Sequence, residues 1–381
     1  MMKFVFAPDS YKGSLTAKQA AEAMKQGVSR VFTDAEFELI PMADGGEGTV
    51  QSLVDATAGH LIDTEVIDPL GQPAVAQYGI LGDQKTAVIE MAAASGIQFV
   101  NEQTHNPLIA TTYGTGQLIE DALNQGVETI IIGIGGSATN DGGAGMAEAL
   151  GVKLLDTNNQ MITRGGGGLA QLDHIDLNQL DPRITTTKII IASDVTNPLV
   201  GPKGSSAVFG PQKGATPAMV QTLDANLKHY AEVINRDLNI DVANQAGAGA
   251  AGGLGAGLLV FTNSEMQSGV DIVLRETEFK QRVKDADFVF TGEGGIDFQT
   301  QYGKTPMGVA QATKAVDAHV PVIALVGQIG EGVDVLYDLG IDAIFSTVPG
   351  LIDLPMAIKT ASINLAQTAE NTARLIKQTI K

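Results

Sequence analysis

The chain has 381 residues, 44% apolar and 18% charged, with no apolar run of about eighteen residues, so no membrane-spanning helix is expected. Its 24 basic and 43 acidic side chains sum to a charge of -19, which repels phosphate backbones and anionic lipid and argues against nucleic-acid or membrane partners. The absence of cysteine removes disulfides, thiolate metal sites and cysteine nucleophiles. Met1-Met2-Lys3-Phe4-Val5 runs directly into a strand-like segment without a leader pattern, and a cytoplasmic location is the expectation. Glycine is unusually frequent, 45 of 381 residues against about 7% in ordinary proteins, and it clusters beside apolar β-branched runs, as in strand-to-helix turns.

Strand-like runs recur at 4–7, 37–40, 129–134, 189–192, 288–291, 322–326 and 343–347. They carry little polar alternation, which suits parallel strands buried on both faces. Between the first two, Ser14-Leu15-Thr16 introduces an amphipathic helix over 17–31. Toward the other end, helical stretches follow Pro306 and Gly330, and a last helix is expected over 355–380. The stretch 63–85, with turns at Pro69-Leu70-Gly71-Gln72-Pro73 and Gly82-Asp83, reads as antiparallel hairpins. These patterns predict an α/β protein of two domains: a doubly wound parallel sheet from residues 1–61 and 286–381, and an inserted mixed-sheet α/β domain over 62–285, with a cleft between them as the active site. The stretch 158–168, with four consecutive glycines, reads as a mobile loop or turn.

Residues 130–145, IIIGIGGSATNDGGAG, read as a buried strand, a glycine turn, and then Ser137, Thr139, Asn140 and Asp141 ahead of a helix. Bare backbone N–H groups in such a turn suit an anion. Gly133 to Ala138 also fits the dinucleotide fingerprint, with Asp156 as a ribose-binding acid, so a nicotinamide-dependent oxidoreductase is the rival reading. Against it, Asn140-Asp141-Gly142-Gly143 prolongs the loop where that fold starts its helix. Gly303-Lys304-Thr305 is not a Walker A motif, because position 298 is Phe. The GAGAAG at 247–252 reads as packing glycine.

Acids follow several strand-like runs: Asp9, Asp44 with Glu47, Asp194, and Glu293 with Asp297. Ligands of open α/β sheets gather at those carboxyl ends, and hard oxygen donors there suit Mg²⁺ carried with a polyphosphate. Each acid is equally readable as a helix cap. Lys12 and Lys213 lie in glycine-flanked loops, where a lysine reaches phosphate or carboxylate oxygens. The five histidines show no ligand spacing.

Taken in order, DSYKGSL at 9–15, PMADGGEGT at 41–49, TYGTG at 112–116, IGIGGSATNDGGAGM at 132–146, ASDVTNPLVGP at 192–202, VFGPQKGA at 208–215, GAAGGLGAGL at 249–258, and TGEGGID with GKTP between 291 and 306 resemble the bacterial type-1 glycerate kinase family. The chain departs from it at Tyr11, where Phe is more frequent, and at Gln117, where Glu is usual. The resemblance implies ATP- and Mg²⁺-dependent phosphorylation of D-glycerate to 2-phosphoglycerate or 3-phosphoglycerate, in a two-domain protein whose flavodoxin-like half holds both chain ends, with a homodimer left open. The expected roles are then as follows. Gly135, Gly136, Ser137, Thr139 and Asn140 cradle the ATP phosphates, and Asp141 orients metal or substrate. Asp194 is the base, with Thr196 and Asn197 beside it; Lys12 and Lys213 neutralise charge; Asp9, Ser10 and Asp44 hold the substrate; Glu293 and Asp297 hold the metal. A ligand sensor without turnover is disfavoured, since passive anion binding gains nothing from clustered acids.

Overall fold

The computed structural model describes residues 1–380, and the chain divides into two compact units. The terminal unit takes residues 1–44, 51–59 and the stretch from Ser268 onward, and the inserted unit takes 45–50 and 60–267. Among the described residues no helix is long and apolar enough to cross a membrane.

The terminal unit is built on five parallel strands, Glu36–Leu39, Lys3–Phe6, Phe288–Thr291, Val322–Val326 and Ala343–Ser346, in that order across the sheet. Numbered within the unit, the order is 2-1-3-4-5, which is flavodoxin-like. The inner strands are mostly apolar because both faces are covered, with Lys3 and Thr291 at strand ends; the edge strands, Glu36–Leu39 and Ala343–Ser346, are half-exposed. Phe4, Phe6, Phe32, Phe37, Phe288 and Phe290 interlock, with neighbouring ring centroids 5.0 to 6.4 Å apart. The helix Ala17–Ser29 starts at a capping box made by Thr16 and Gln19 and lays Ala20, Met24 and Val28 on this core. It also packs on the last helix, Leu354–Thr379, through Gly27, where an added Cβ would collide with the Ala366 carbonyl oxygen and lie 2.8 Å from the Glu370 nitrogen.

The inserted unit carries a six-stranded mixed sheet in the order Ser264–Gln267, Lys188–Ala192, Thr129–Gly133, Thr86–Glu90, Pro73–Ile80, His60–Ile67. The first four strands run parallel, and the last two extend the sheet as antiparallel hairpins. The turns predicted at 69–73 and 82–83 fall at the hairpin connections, the first of which spans 68–72 because Pro73 already begins a strand. The strand Ser264–Gln267 lies outside every predicted run, since SEMQ presents no apolar stretch.

One local expectation is corrected and another holds only in part. After Gly330 there is only a short 3₁₀ turn, Val333–Leu336, rather than a helix. The stretch 158–168 is loop and turn as expected, with 158–161 exposed, but Gly165, Gly166 and Gly168 are buried: Gly166 lies against the Asn140 carbonyl, and its own carbonyl accepts from Asn226 Nδ2 at 2.9 Å.

Replacing a helix-interior glycine by alanine ordinarily gains about 1 kcal/mol. At Gly27 the overpacking against Leu354–Thr379, costing about 1–3 kcal/mol, outweighs that gain. Gly27→Ala is therefore expected to lose up to about 2 kcal/mol net, read as a lower urea midpoint with an unchanged slope.

Candidate active site

In the terminal unit the chain order reverses between Lys3–Phe6 and Phe288–Thr291, and ligands of such sheets bind beyond the carboxyl ends of the strands at that switch point. The loops leaving those two strands carry Asp9 and Glu293, tied by the Asp9 backbone N–H donating to the Gly292 carbonyl at 2.9 Å. The Asp9 carboxylate accepts from the Ser10 backbone N–H on Oδ1 and from the Thr305 hydroxyl on Oδ2, both at 2.6 Å. Thr305 opens the helix Thr305–Val316, so sequence-distant Thr305 is fixed to this loop by a regular element. Burial pushes the Asp9 carboxyl up to about 6; the Thr305 hydrogen bond opposes the rise and the Asp44 charge adds to it. Burial likewise pushes Glu293 up to about 7, with Lys304 and Lys12 opposing and Asp9 and Asp44 adding.

Around these acids the sequence-predicted residues are disposed unevenly. Ser10 and Asp44 are half-buried, and Lys12 is exposed. Tyr11 is buried, its hydroxyl donating to the Leu325 carbonyl at 2.5 Å, which gives the departure from Phe a partner. Asp297 caps the 3₁₀ turn Phe298–Tyr302 by accepting from the Gln299 N–H at 2.8 Å, and it lies 4.0 Å from Lys304 Nζ. Among the described residues no three His, Asp or Glu side chains converge as a ready metal cage. A magnesium ion brought by a nucleotide needs only one or two carboxylates. The buried Oε1 of Glu293, which has no hydrogen-bond partner, fits that need; Asp297 is already engaged.

The inserted unit builds a second cluster on the loop after Thr129–Gly133. Gly135 and Gly136 are exposed, and from Ser137 the loop turns inside, leaving Thr139, Asn140 and Asp141 fully buried. Asp141 accepts from the Thr112 N–H at 2.8 Å, the Thr112 hydroxyl at 2.9 Å, the Gly143 N–H at 3.2 Å and the Gly145 N–H at 3.3 Å. Burial still raises its pKa against these bonds. Gly142 and Gly143 have φ of +66° and +77°, and a Cβ on Gly142 would lie 2.7 Å from the Tyr230 ring, so glycine is required there on two counts. The glycines of 247–257 pack against this same loop: the Gly252 carbonyl accepts from the Gly142 N–H at 3.0 Å, and a Cβ on Gly257 would meet Gly143 Cα at 2.8 Å.

Lys213 enters the cluster from a 3₁₀ turn, Pro211–Lys213, and is 1% exposed. Its ammonium donates to Ser137 Oγ at 2.5 Å and to the Thr139 carbonyl at 2.6 Å. The expected charge-neutralising lysine is thus placed inside the fold as a strut beneath the loop. Burial lowers it to about 7, and Asp141 pulls the other way. Asn140 Oδ1 accepts from Ser206 Oγ at 3.0 Å, while Thr139 Oγ1, Asn140 Nδ2 and Ser205 Oγ are buried without partners. Asp194 and Thr196 are exposed beyond Lys188–Ala192; neighbouring Asn197 donates through Nδ2 to the Lys203 carbonyl at 2.8 Å.

Sequence reasoning missed Thr305, Thr112 and Ser206 as supports of these acids and amides. Thr305 and Thr112 lie in the quoted GKTP and TYGTG strings, but nothing local marks which buried partner their hydroxyls reach. The other departure, Gln117, accepts the Ile67 N–H at 2.8 Å.

The dinucleotide reading fails on this geometry. The helix after the loop, Ala144–Ala149, has its first N–H groups taken by Asp141 and Thr112, where a pyrophosphate would have to sit. The next strand, Lys153–Leu155, does not join the main sheet but pairs antiparallel with His174–Asp176, so no βαβ unit forms. Asp156 lies in a surface turn, accepting from the Asn158 and Gln160 N–H groups.

Each α/β unit gathers ionisable groups with shifted pKa values, Asp9 and Glu293 in one and Asp141 and Lys213 in the other, the signature of an enzyme rather than of a passive binding scaffold. Residues 4–377 match the model of the glycerate kinase family. A glycerate kinase of Halalkalibacterium halodurans is 54% identical, with 98% of each chain covered. The glycerate 2-kinase of Escherichia coli K12 is 49% identical over 98% of this chain and 97% of its own. A crystal structure from Salmonella typhimurium LT2, 49% identical, superposes with a TM-score of 0.91 over 99% of this chain and 98% of that one. The chain belongs to the glycerate kinase family, and its activity is that of a phosphotransferase with an alcohol group as acceptor.

The lysine strut makes a stability prediction. A lysine that falls from 10.5 unfolded to about 7 folded binds fewer protons in the native state between those values, so stability rises with pH across that window and is lost as pH falls through 7. In Lys213→Met the pH-dependent part disappears. The stability difference between variant and wild type, read by urea denaturation, should shift against the variant by roughly 3–5 kcal/mol between pH 7 and 10.5.

Proposed function

We propose that this chain is a type-1 bacterial glycerate kinase that transfers the γ-phosphoryl of ATP, with Mg²⁺, to the 2-hydroxyl of D-glycerate and so yields 2-phosphoglycerate. The observation that carries the choice of hydroxyl is the 49% identity, over nearly all of both chains, to a relative that bears the name glycerate 2-kinase. The two clusters support the reading. Phosphoryl transfer asks for positioning and charge neutralisation more than for covalent chemistry, and fixed polar and charged groups of this kind suit it.

In this reading the exposed Gly135 and Gly136 are where the nucleotide phosphates approach the loop, with Ser137, Thr139 and Asn140 behind them. Lys213 sets the loop's shape from beneath. Exposed Lys12 meets the substrate carboxylate, with Ser10 and Asp44 near it. Glu293 holds the magnesium ion, which when bound neutralises charge on the transferring phosphoryl, and Asp297 fixes the neighbouring turn. The hydroxyl proton goes to a carboxylate. Asp194, with Thr196 and Asn197, is the choice from sequence, and Asp9 is the alternative argued below.

With ATP, Mg²⁺ and D-glycerate, the protein is expected to release ADP at a rate that depends on glycerate. The phosphorus spectrum of the product decides the position. A doublet, from coupling to one proton, is expected for the 2-phosphate; a triplet, from coupling to two, would assign the 3-hydroxyl, and absent turnover would refute the reading.

A further inference from the structure

We infer that Asp9 is the catalytic base that accepts the proton of the glycerate hydroxyl. The inference rests on the glycerate kinase reading above and goes beyond it by naming the residue that touches the reacting atom. Asp9 follows the central strand Lys3–Phe6 at the switch point of the terminal sheet, where the topology opens a crevice for a ligand. Its carboxylate is held from two sides, by the Ser10 N–H and the Thr305 hydroxyl at 2.6 Å each, and every carboxylate oxygen keeps a second lone pair for a substrate hydroxyl. A capping role does not account for it: Thr305 donates to Asp9 through its side chain, and the strand's own end is closed by the Asp9 N–H on Gly292. Asp194, by contrast, is exposed.

In the step, the substrate O–H bond breaks and its proton passes to Asp9. The freed oxygen bonds to the γ-phosphorus of ATP, and the bond from that phosphorus to the β,γ-bridging oxygen breaks, leaving ADP. The groups facing Asp9 and its neighbours are Asp44 and Glu293, Lys12 and Lys304, and the Tyr11 phenol. A base with a pKa near 6 is ionised at neutral pH yet basic enough to take a proton in the transition state.

The test compares wild type, Asp9→Asn and Thr305→Val in the ADP-release assay, with melting temperature as the check on folding. Absent wild-type turnover on D-glycerate overturns the reading and this inference with it. With an active wild type, Asp9→Asn should lose at least about 10²-fold in kcat while melting within a few degrees of wild type. A folded Asp9→Asn that stays within about threefold overturns the inference alone and returns the role to Asp194. Thr305→Val removes a hydrogen bond that favours the ionised form, so the acid limb of kcat/KM should move to higher pH; a merely structural threonine leaves the limb in place. Should Asp9→Asn fail to fold, that limb decides: movement supports the inference, and an unmoved limb overturns it.

Discussion

The inserted unit depends on one buried charge, the carboxylate of Asp141. A carboxylate without water needs as many donors as geometry allows, and this one gathers three backbone N–H groups and a hydroxyl. To do so the chain must turn back at Gly142 and Gly143 through conformations that favour glycine, and Thr112 must stand at the start of the helix Tyr113–Asn124. Asp141 and Thr112 together also use up the N-terminus of Ala144–Ala149: the Gly145 N–H donates to the Asp141 carboxylate, the Ala144 N–H to its backbone carbonyl and the Met146 N–H to the Thr112 hydroxyl. A loop that resembles a dinucleotide turn in sequence is thereby closed to a pyrophosphate at that end, and only its exposed Gly135-Gly136 corner remains for an anion.

Lys213 is the counterpart of that constraint. Among the described residues this lysine forms no salt bridge, so its two hydrogen bonds to Ser137 and the Thr139 carbonyl, helped by the charge of Asp141, offset the cost of its burial. The lysine reaches them because Gly214 takes a positive φ of 87° directly after it, letting the turn close with the His105 ring against the glycine. A larger residue at 214 would meet that ring.

Much of this was legible in the sequence. Buried parallel strands such as Phe288–Thr291 and Val322–Val326 are short apolar runs between turns, and the hairpins betray themselves by Pro and Gly. Ser264–Gln267 was not legible, because a strand on the sheet edge needs no apolar run. The acids at strand ends were visible, but which of them are buried and fixed is a tertiary property: Asp9 owes its environment to Thr305, 296 positions away in sequence. The same holds for Lys213, whose glycine-flanked setting looks like a surface loop until the packing of 205–209 and 217–238 is known. The strings that carry the family resemblance marked both clusters without separating groups that meet a ligand from groups that hold the loop.

The clusters also share an energetic signature. Asp9 and Glu293 have raised pKa values, so the native state binds extra protons at mildly acid pH, and their contribution to stability falls as pH climbs from about 4 to 7. Lys213 has a lowered one, and its contribution falls as pH drops from 10.5 to about 7. These three groups therefore contribute least near neutrality, where one unit holds crowded carboxylates and the other a buried ammonium. A site tuned only for stability would avoid both, either by pairing each charge or by replacing it with an apolar side chain. On the function proposed above, retaining them has a use: phosphoryl transfer gains from a carboxylate able to take a proton at neutral pH, and from a rigid polar loop that does not reorganise when the phosphate charge arrives.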